Sequence, residues 1–343
     1  MTTVTQSLTE RWNQFKIDNP KKRIREAAAA LGVSEAELLA TEVGSGVVKL
    51  EGDFSELYKQ LPTLGRVMSL TRNDACVLEH KGLFEEINVQ GEGHKVGTLI
   101  GSIEARAFFN VWKFGFAGET KTAHGSMKNM QFFDAAGVAV TKIYLQEEGG
   151  NPEAYQKVVD AFRAAEQTTD ITTTQDVVPQ YQENIDEAAF RSDWSALKDT
   201  HEFFGMLRKY KVNRLRALEI AGDTYTRKID KAQLTPMLKK AAKDQLPIMI
   251  FVGSKGNIQI HQDVIKTVRV MDSWLNILDP NFNMHLNMDE IKHVWVVKKP
   301  TSDGEVTSIE CFDKNRELMV QFFGLRKPGK PELEEWKTLV KSL

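Results

Sequence analysis

The chain contains little cysteine, because only Cys76 and Cys311 occur among its 343 residues. Thiolate-bound metal clusters need more cysteines at closer spacing, so the sequence excludes them, and two cysteines so far apart argue against a disulfide framework. Isolated thiols of this kind are typical of a protein that stays in a reducing compartment. We therefore expect the chain to work in the cytoplasm.

Long apolar runs and a strong net charge are also lacking. No stretch approaches the roughly 18 apolar residues that a membrane-spanning helix needs. The first residues, MTTVTQSLTERWNQFK, include Glu10 and Arg11, so they do not form the apolar core of a signal peptide. The formal net charge is only −2, which provides no overall positive field. We expect no stable binding to nucleic acid or to a membrane.

Common catalytic and nucleotide-binding motifs are absent as well. The sequence contains no HExxH, GxSxG, Walker A or GxGxxG pattern. Most histidines lack a carboxylate or a second histidine at metal-ligand spacing, so a zinc site is not predicted. These histidines are His80, His124, His261, His285 and His293. His94, which follows a glycine in GHKVGTLIG, is kept in reserve as a metal ligand.

What the sequence does contain is an internal repeat with an offset of about 180 residues. MQFFDAAGVAVTKIYLQEEGGNPEAYQKVV, from Met130, aligns with IECFDKNRELMVQFFGLRKPGKPELEEWKTLV, from Ile309. We predict two similar halves, residues 1–165 and 188–343, joined by a Thr- and Gln-rich linker at 166–187. Weaker matches keep the same order, namely Arg66–His80 with Pro247–His261 and Leu31–Ala40 with Tyr210–Glu219.

Both halves show the same order of predicted elements: helices, then antiparallel strands, then a closing helix. Gly253–Gly256, between two apolar alternating stretches, is a hairpin signal. The closing helices are predicted at Pro152–Arg163 and Pro331–Leu343, each with proline in its first turn. The predicted fold class is α+β, an internal duplication of two halves that each form a large antiparallel β-sheet with helices.

His201 lies among aromatic residues in Asp193–Lys211, DWSALKDTHEFFGMLRKYK. As one helix, this segment places on one face, at spacings of 3 or 4, the residues Trp194, Leu197, His201, Phe204 and Leu207. Alternatively, Asp199 or Thr200 caps a new helix, and His201 falls in its first turn. A neutral imidazole there has a nitrogen to offer a metal. Periodicity alone favours a partly buried histidine that is hydrogen-bonded to the backbone.

The block Glu104–Ala117, EARAFFNVWKFGFA, is a second candidate, since its aromatic residues after Arg106 alternate as in a strand. One interpretation is an aromatic wall for a flat apolar ligand, with Arg106 binding a carboxylate at the ligand's edge. The other, which this segment alone favours, is a core strand with a solvated arginine. Near the C-terminus, cations follow two apolar strands at Lys298, Lys299, Arg326 and Lys327.

Taken together, these blocks resemble the hemin-degrading and heme-trafficking proteins of the HemS/ChuS/HmuS type, found in Gram-negative bacteria that import heme. The resemblance covers essentially the whole chain, including the duplication, and depends on several ordered blocks rather than on one motif. The blocks are DNPKKRIREAAAALGVSEAEL, VMSLTRND, EARAFFNVWKFGF, DTHEFF, WLNILDPNFNMHL, VKKPTSDGEVTSIE and QFFGLR.

The resemblance implies a cleft between the halves that binds one heme b (iron protoporphyrin IX) per chain. The family's proximal ligand falls on His201, which would coordinate the iron. Arg106, a tentative catalytic residue, and Phe108 would line the opposite face. Further contacts to the propionates and the heme edge are implied for Lys299, Gln321, Phe323 and Arg326. Relatives often carry tyrosine at Phe323, so we expect an aromatic contact there but no hydrogen bond.

The implied function is heme degradation, an oxidative opening of the porphyrin ring that releases iron and takes electrons from an external donor. The alternative is a non-catalytic chaperone that stores imported heme and delivers it to a separate heme oxygenase. The sequence fits both. Both imply heme as the ligand and an inner-membrane heme importer as a partner, and the chaperone also implies a downstream heme oxygenase. DNA binding, which has been suggested for relatives, is disfavoured by the net charge.

Overall fold

The computed structural model describes residues 6–122, 125–175, 179–326 and 329–343. The helices are α1 (Leu8–Asp18), α2 (Ile24–Leu31), α3 (Glu35–Ala40), α4 (Phe54–Tyr58), α5 (Pro152–Ala161), α6 (Glu187–Ser195), α7 (Glu202–Tyr210), α8 (Arg214–Ala221), α9 (Leu234–Lys243) and α10 (Glu334–Lys341). The first nine strands are β1 (Val47–Leu50), β2 (Gly65–Arg72), β3 (Cys76–Gly82), β4 (Glu86–Gln90), β5 (Val96–Ile100), β6 (Glu104–Phe108), β7 (Phe114–Thr122), β8 (Gly125–Phe133) and β9 (Ala139–Gly150). The other strands are β10 (Thr226–Ile229), β11 (Pro247–Gly253), β12 (Asn257–Val264), β13 (Val268–Met271), β14 (Trp274–Leu278), β15 (Phe282–Asn287), β16 (His293–Thr301), β17 (Gly304–Phe312) and β18 (Leu318–Gly324).

The described residues form two compact units that differ slightly from the halves of the sequence. Unit 1 contains residues 6–71, 80–175 and 254–258. Unit 2 contains residues 72–79, 179–253 and 259–343. Each half of the chain therefore supplies one short segment to the other half's unit.

Unit 1 is built on an antiparallel sheet with the strand order β1-β7-β8-β9-β2, together with a meander of β4, β5 and β6. Burial alternates along β2 and β6, as in strands with one face on a core, whereas consecutive residues are buried at the end of β8 and the start of β9. On one face, the apolar core contains residues of α4 and α5, including Leu57 and Val158. Residues of α3 pack with Phe116 and Phe133 in a second cluster.

Unit 2 repeats this plan with the strand order β10-β16-β17-β18-β11 and a meander of β13, β14 and β15. One face of the five-stranded sheet packs against α9 and α10, with Trp336 completely buried. Residues of α6, α7 and α8 form a separate cluster with Val297 and Phe312. The functional candidates of unit 2 lie on and beside these three helices.

The strand registers confirm the duplication predicted from the sequence. Val47 pairs with Gly118 in unit 1, and the aligned residues Thr226 and Val297 pair in unit 2. The same β-bulge also recurs, after Phe132 in β8 and after Cys311 in β17. A bulge is a specific local feature, and its recurrence at an aligned position indicates that both sheets follow one plan. The α+β fold of two similar halves is therefore correct.

Each half also buries an ion pair at the first residue of an equivalent helix, but with reversed polarity. In unit 1, Glu35 at the start of α3 pairs with Lys142 of β9, and both side chains are buried. In unit 2, Arg214 at the start of α8 pairs with Glu310 of β17, whose side chain is fully buried. Glu35 and Arg214 are aligned in the repeat, so the helix supplies the anion in one half and the cation in the other.

Two elements differ from their predicted form. The aromatic block is not one strand, because β6 ends at Phe108 and a 3-10 turn at Phe109–Val111 precedes β7. Phe108 therefore does not share a strand with the later aromatic residues, and Trp112 is buried in the core of unit 1. The last helix begins at Glu334 rather than at Pro331, with Leu333 as its N-cap.

No helix in the described part of the chain is long and apolar enough to cross a membrane. Cys76 and Cys311 are free, and both belong to the large apolar cluster of unit 2. Burial raises the pKa of both thiols, which keeps them protonated and unreactive.

Candidate functional site

His201 stands at the start of a new helix, as the second of the two sequence interpretations proposed, but the N-cap is His201 itself rather than Asp199 or Thr200. Helix α6 ends at Ser195, and His201 is the N-cap residue of α7. The turn between the helices is closed by side chains, since the Glu202 carboxylate accepts the backbone N–H of Lys198 at 2.8 Å. Asp199 in the same turn accepts the backbone N–H of His201 at 2.7 Å.

The predicted apolar face of this segment is correct for Trp194 and Leu197, which are buried, but wrong from His201 onward. His201 is 90% exposed at its side chain and Phe204 is 53% exposed, whereas Phe203 and Met206 are buried. The reason is the break between α6, which ends at Ser195, and α7, which begins at Glu202. The helical period starts afresh in α7. The exposed imidazole also contradicts the interpretation of a partly buried structural histidine.

Asp199 fixes the imidazole of His201. Its Oδ1 lies 2.6 Å from Nδ1 of the ring, in addition to its bond with the backbone of the same residue. These two hydrogen bonds, with a further contribution from the charge of Arg326, hold the pKa of the Asp199 carboxyl below its ordinary value. An ionised carboxylate at Nδ1 favours the tautomer with its proton there and leaves a lone pair on Nε2.

Next to α7, the fully buried carboxylate of Glu310 is contacted by four polar side chains. Arg214 binds both oxygens of Glu310 at 2.7 Å. Lys299 Nζ lies 2.9 Å from the same carboxylate, and Gln321 and Ser308 each donate to it at 3.1 Å. We call these five residues the Glu310 hub. It contains two cations and one carboxylate, and therefore has one positive charge in excess when Lys299 is protonated.

The electrostatics of the hub follow from its burial. Burial alone would raise the pKa of Glu310, but the charges of Arg214 and Lys299 outweigh it and hold that pKa well below its usual range. Burial, with a contribution from Arg214, lowers the pKa of Lys299 to about 8 despite the attraction of Glu310. The Glu310 carboxylate is ionised, because two cations contact it directly.

The hub is joined to α7 through aromatic rings. Lys299 Nζ lies 4.6 Å from the centroid of the Phe203 ring, and the Arg214 guanidinium carbon lies 5.1 Å from it. The same guanidinium lies 5.6 Å from the centroid of the exposed Phe204 ring. Cation–π contacts of this kind fix ring positions, so the hub holds the helix that begins at His201.

Gln321 and Phe323 share one face of β18, because alternate residues of a strand point the same way. On the neighbouring strand β11, Phe251 pairs with Gln321 in register. The rings of Phe251 and Phe323 meet edge to face at 5.1 Å between centroids, and both are half-buried. This part of the sheet is therefore a partly open aromatic surface next to the hub amide.

Arg326 lies just after β18 and is partly exposed. Its guanidinium lies 3.2 Å from the Asp303 carboxylate, which also accepts the backbone N–H of Gly329 at 3.0 Å. Lys327, which the sequence grouped with it, is outside the described residues. Lys298, the other cation of that group, pairs with Glu305 at 3.3 Å.

Arg106, Phe108 and His94 belong to unit 1. The Arg106 guanidinium donates to the backbone oxygens of Ala105 at 2.9 Å and Leu99 at 3.3 Å and lies 3.2 Å from Glu104. Its side chain remains 34% exposed, so part of the guanidinium is accessible. Phe108 is half-buried on the same face of β6, and His94 lies exposed in the loop after β4.

The structure therefore brings some predicted residues together and adds others. Within unit 2, Lys299 and Gln321 meet at the Glu310 carboxylate, while His201 and Arg326 both act on Asp199. Sequence reasoning missed the residues that connect them: Asp199 as an orienting group, and Phe203, Arg214 and Glu310. The sequence did indicate one of these residues. Glu310 is the single charged residue in the strand segment VTSIECF, which is a sign of a buried charge that needs a partner.

Comparison with known proteins shows which family and which solved structures this chain resembles. A family model described as the haemin-degrading HemS.ChuX domain matches residues 32–162 and 211–343. The hemin transport protein HmuS of Yersinia pestis is 33% identical, over 98% of this chain and 97% of HmuS. Holo-PhuS, a heme-binding protein from Pseudomonas aeruginosa, superposes with a TM-score of 0.95 at 40% identity, covering 98% of this chain and 99% of PhuS. ChuS of Escherichia coli, described in one structure as a heme-degrading enzyme and in another as a heme oxygenase, is 30% identical with TM-scores of 0.90 and 0.88, covering 98% of both chains.

These matches agree with the duplicated fold, because the family model occurs twice, once in each half of the chain. The relatives also align over nearly their whole length, so the agreement covers both halves of the chain. The chain belongs to the haemin-degrading HemS/ChuX family.

Proposed function

We propose that this chain binds heme, with Nε2 of His201 as the axial ligand of the iron. The observation that carries the proposal is an exposed imidazole whose Nδ1 is held by the Asp199 carboxylate at 2.6 Å. Metal-binding histidines commonly have this second partner, which orients the ring and raises the basicity of the other nitrogen. The heme-binding relative PhuS supports the choice of ligand.

Heme is a broad apolar plate with two carboxylates on one edge, so its site needs aromatic surfaces and a few cations. We propose that Phe323 contacts the plate and that Arg326 and Gln321 contact the carboxylate edge. Lys299 is only 4% exposed and is bound to Glu310. Its proposed part in binding is therefore the excess positive charge of the Glu310 hub, which attracts a dianion.

Beyond binding, we propose that the protein degrades heme by oxidative ring opening and so releases iron. Heme supplies the redox chemistry itself, and the electrons come from an external donor. The protein contributes orientation and electrostatics, and Arg106 with Phe108 is the proposed pair for the oxygen-binding face. A guanidinium stabilises negative charge that develops on oxygen during such a reaction. The description of ChuS as a heme oxygenase supports this reading.

A heme chaperone is the second candidate function, supported by the description of HmuS as a hemin transport protein. In that case the same residues hold heme until a separate heme oxygenase receives it. Cytoplasmic heme taken up through an inner-membrane importer would be the source of ligand in both cases.

A single-turnover experiment separates the two functions. The protein is loaded with one equivalent of hemin, a reductant and air are added with or without catalase, and the Soret band is followed. Loss of the band that persists with catalase supports the enzyme. A stable band with rapid transfer to an added heme oxygenase supports the chaperone, whereas loss that catalase abolishes indicates only peroxide-driven oxidation.

Replacing Asp199 with alanine should weaken hemin binding by about 10- to 100-fold, the usual effect of removing a partner of a metal-bound histidine. Hemin titration followed at the Soret band measures the change. Asp193→Ala is the matched control, since Asp193 also binds α7, at Lys209 and Tyr210, but not His201. Equal affinity of the two variants would show that Asp199 does not orient the ligand.

Replacing Arg106 with alanine should slow ring oxidation by about 10- to 100-fold, the scale of one lost charge-stabilising donor, while hemin affinity falls less. The single-turnover rate and the hemin dissociation constant are measured on the same preparation. Arg163→Ala is the control, because Arg163 is an exposed arginine of the same unit that pairs with Asp160. An unchanged turnover rate in the Arg106 variant would remove this residue from the mechanism.

A further inference from the structure

Helix α7 contains a glycine, Gly205, that the fold does not require. It lies in the helix interior with φ outside the left-handed region, and beyond the backbone of α7 itself a Cβ at this position would meet no heavy atom within 4 Å. Glycine in a helix interior destabilises the helix relative to alanine. Packing therefore does not explain why a residue with a side chain is absent here.

The position of Gly205 relative to His201 suggests the reason. Residues at i, i+3 and i+4 share one face of a helix, with Cβ atoms about 5–6 Å apart, so His201, Phe204 and Gly205 are neighbours. All three are exposed, whereas Phe203 and Met206 face the core. Helical side chains lean toward the N-terminus, so any side chain at 205 would cover the surface beside His201.

The third member of this face is an aromatic ring held in place. Phe204 is 53% exposed, and its ring centroid lies 5.6 Å from the guanidinium carbon of Arg214, which is itself fixed by Glu310. An oriented aromatic ring next to bare helix backbone makes a low, apolar surface around the imidazole. Such a surface suits a flat ligand whose centre is bound to His201 and whose plane extends over the next turn.

We infer that Gly205 is a specificity-determining residue, which admits a planar macrocycle bound to His201 by leaving the helix surface clear. The inference rests on the proposed function, because it takes His201 as the iron ligand. A side chain at 205 would lift or tilt the plate and separate it from Phe204. The glycine thus lowers helix stability in exchange for room beside the imidazole.

The test uses the full-length protein with Gly205→Ala and Gly205→Leu. For Gly205→Ala we expect a Tm about 2 °C higher, because helix propensity improves. Hemin affinity should instead fall about tenfold for alanine and more than 100-fold for leucine, because the added atoms clash with the plate. Opposite signs for stability and binding are the distinctive result, since a misfolded variant would lose both.

Gly93→Ala is the matched control, because Gly93 is also exposed, also has φ outside the left-handed region, and also has nothing within 4 Å of a built Cβ. It should leave both the hemin affinity and the ring resonances of His201 in the NMR spectrum unchanged. If His201→Ala abolishes hemin binding and Gly205→Leu leaves it intact, the inference about Gly205 is wrong. The proposed function is not affected by that result. Absence of hemin binding in the unmodified protein would overturn the proposed function and this inference together.

Discussion

Replacing His201 with alanine should weaken hemin binding by more than about 100-fold, beyond the loss expected for a residue that only orients a ligand. The remaining hemin should also show a different coordination spectrum, because the axial nitrogen is gone. Stability should change by less than about 0.5 kcal/mol, since the side chain is 90% exposed. Hemin titration and thermal unfolding measure the two effects separately.

His94→Ala is the control for this prediction, because His94 is the exposed histidine kept in reserve as an iron ligand. It should bind hemin with the spectrum of the unmodified protein. The reverse pattern, an altered spectrum in the His94 variant and an unaltered one in the His201 variant, would transfer the ligand to unit 1.

Replacing Glu310 with leucine should lower the free energy of unfolding of unit 2 by about 3–5 kcal/mol. The reason is that Arg214 and Lys299 would remain as buried cations without their carboxylate; their side chains are only 12% and 5% exposed. Urea unfolding followed by tryptophan fluorescence measures the loss, and Trp194 and Trp336 report on unit 2. Hemin affinity should fall as well, because Phe203 connects the hub to α7.

Glu305→Gln is the matched control, since Glu305 lies on the same strand and pairs with Lys298 at the surface. We expect a loss of no more than about 1 kcal/mol there, the usual value of an exposed ion pair. A similarly small loss in the Glu310 variant would mean that the two cations find water or other partners. In that case the hub would not be what holds α7.

The duplicated α+β plan could be predicted from the sequence because strand periodicity and repeated blocks are local signals. Phe133 and Phe312 align in the repeat, and they close equivalent bulges in the two sheets. Strand periodicity and repeated blocks depend on residues close in sequence. They can therefore be detected even though the two halves have low overall identity. The helix break after Ser195 was also among the alternatives, since Asp199 is a good capping residue.

The parts that the sequence did not reveal depend on contacts between distant residues. Arg214 and Glu310 are nearly a hundred positions apart, and no spacing rule joins them. Lys299 was taken for a solvated strand-end cation or a ligand contact, yet its neighbours are a buried carboxylate and the Phe203 ring. The exposure of Phe204 was missed for a different reason, because the one-helix interpretation extended a single helical period across the break between α6 and α7.

The reversed ion pairs have a consequence for how a chain with two similar halves assembles. If α3 docked on the wrong sheet, Glu35 would be placed against Glu310, and two buried carboxylates would repel each other. If α8 made the converse error, Arg214 would be placed against Lys142. Misassembly between homologous segments is a characteristic failure of repeated domains, and we expect the reversed polarity of the two pairs to disfavour it.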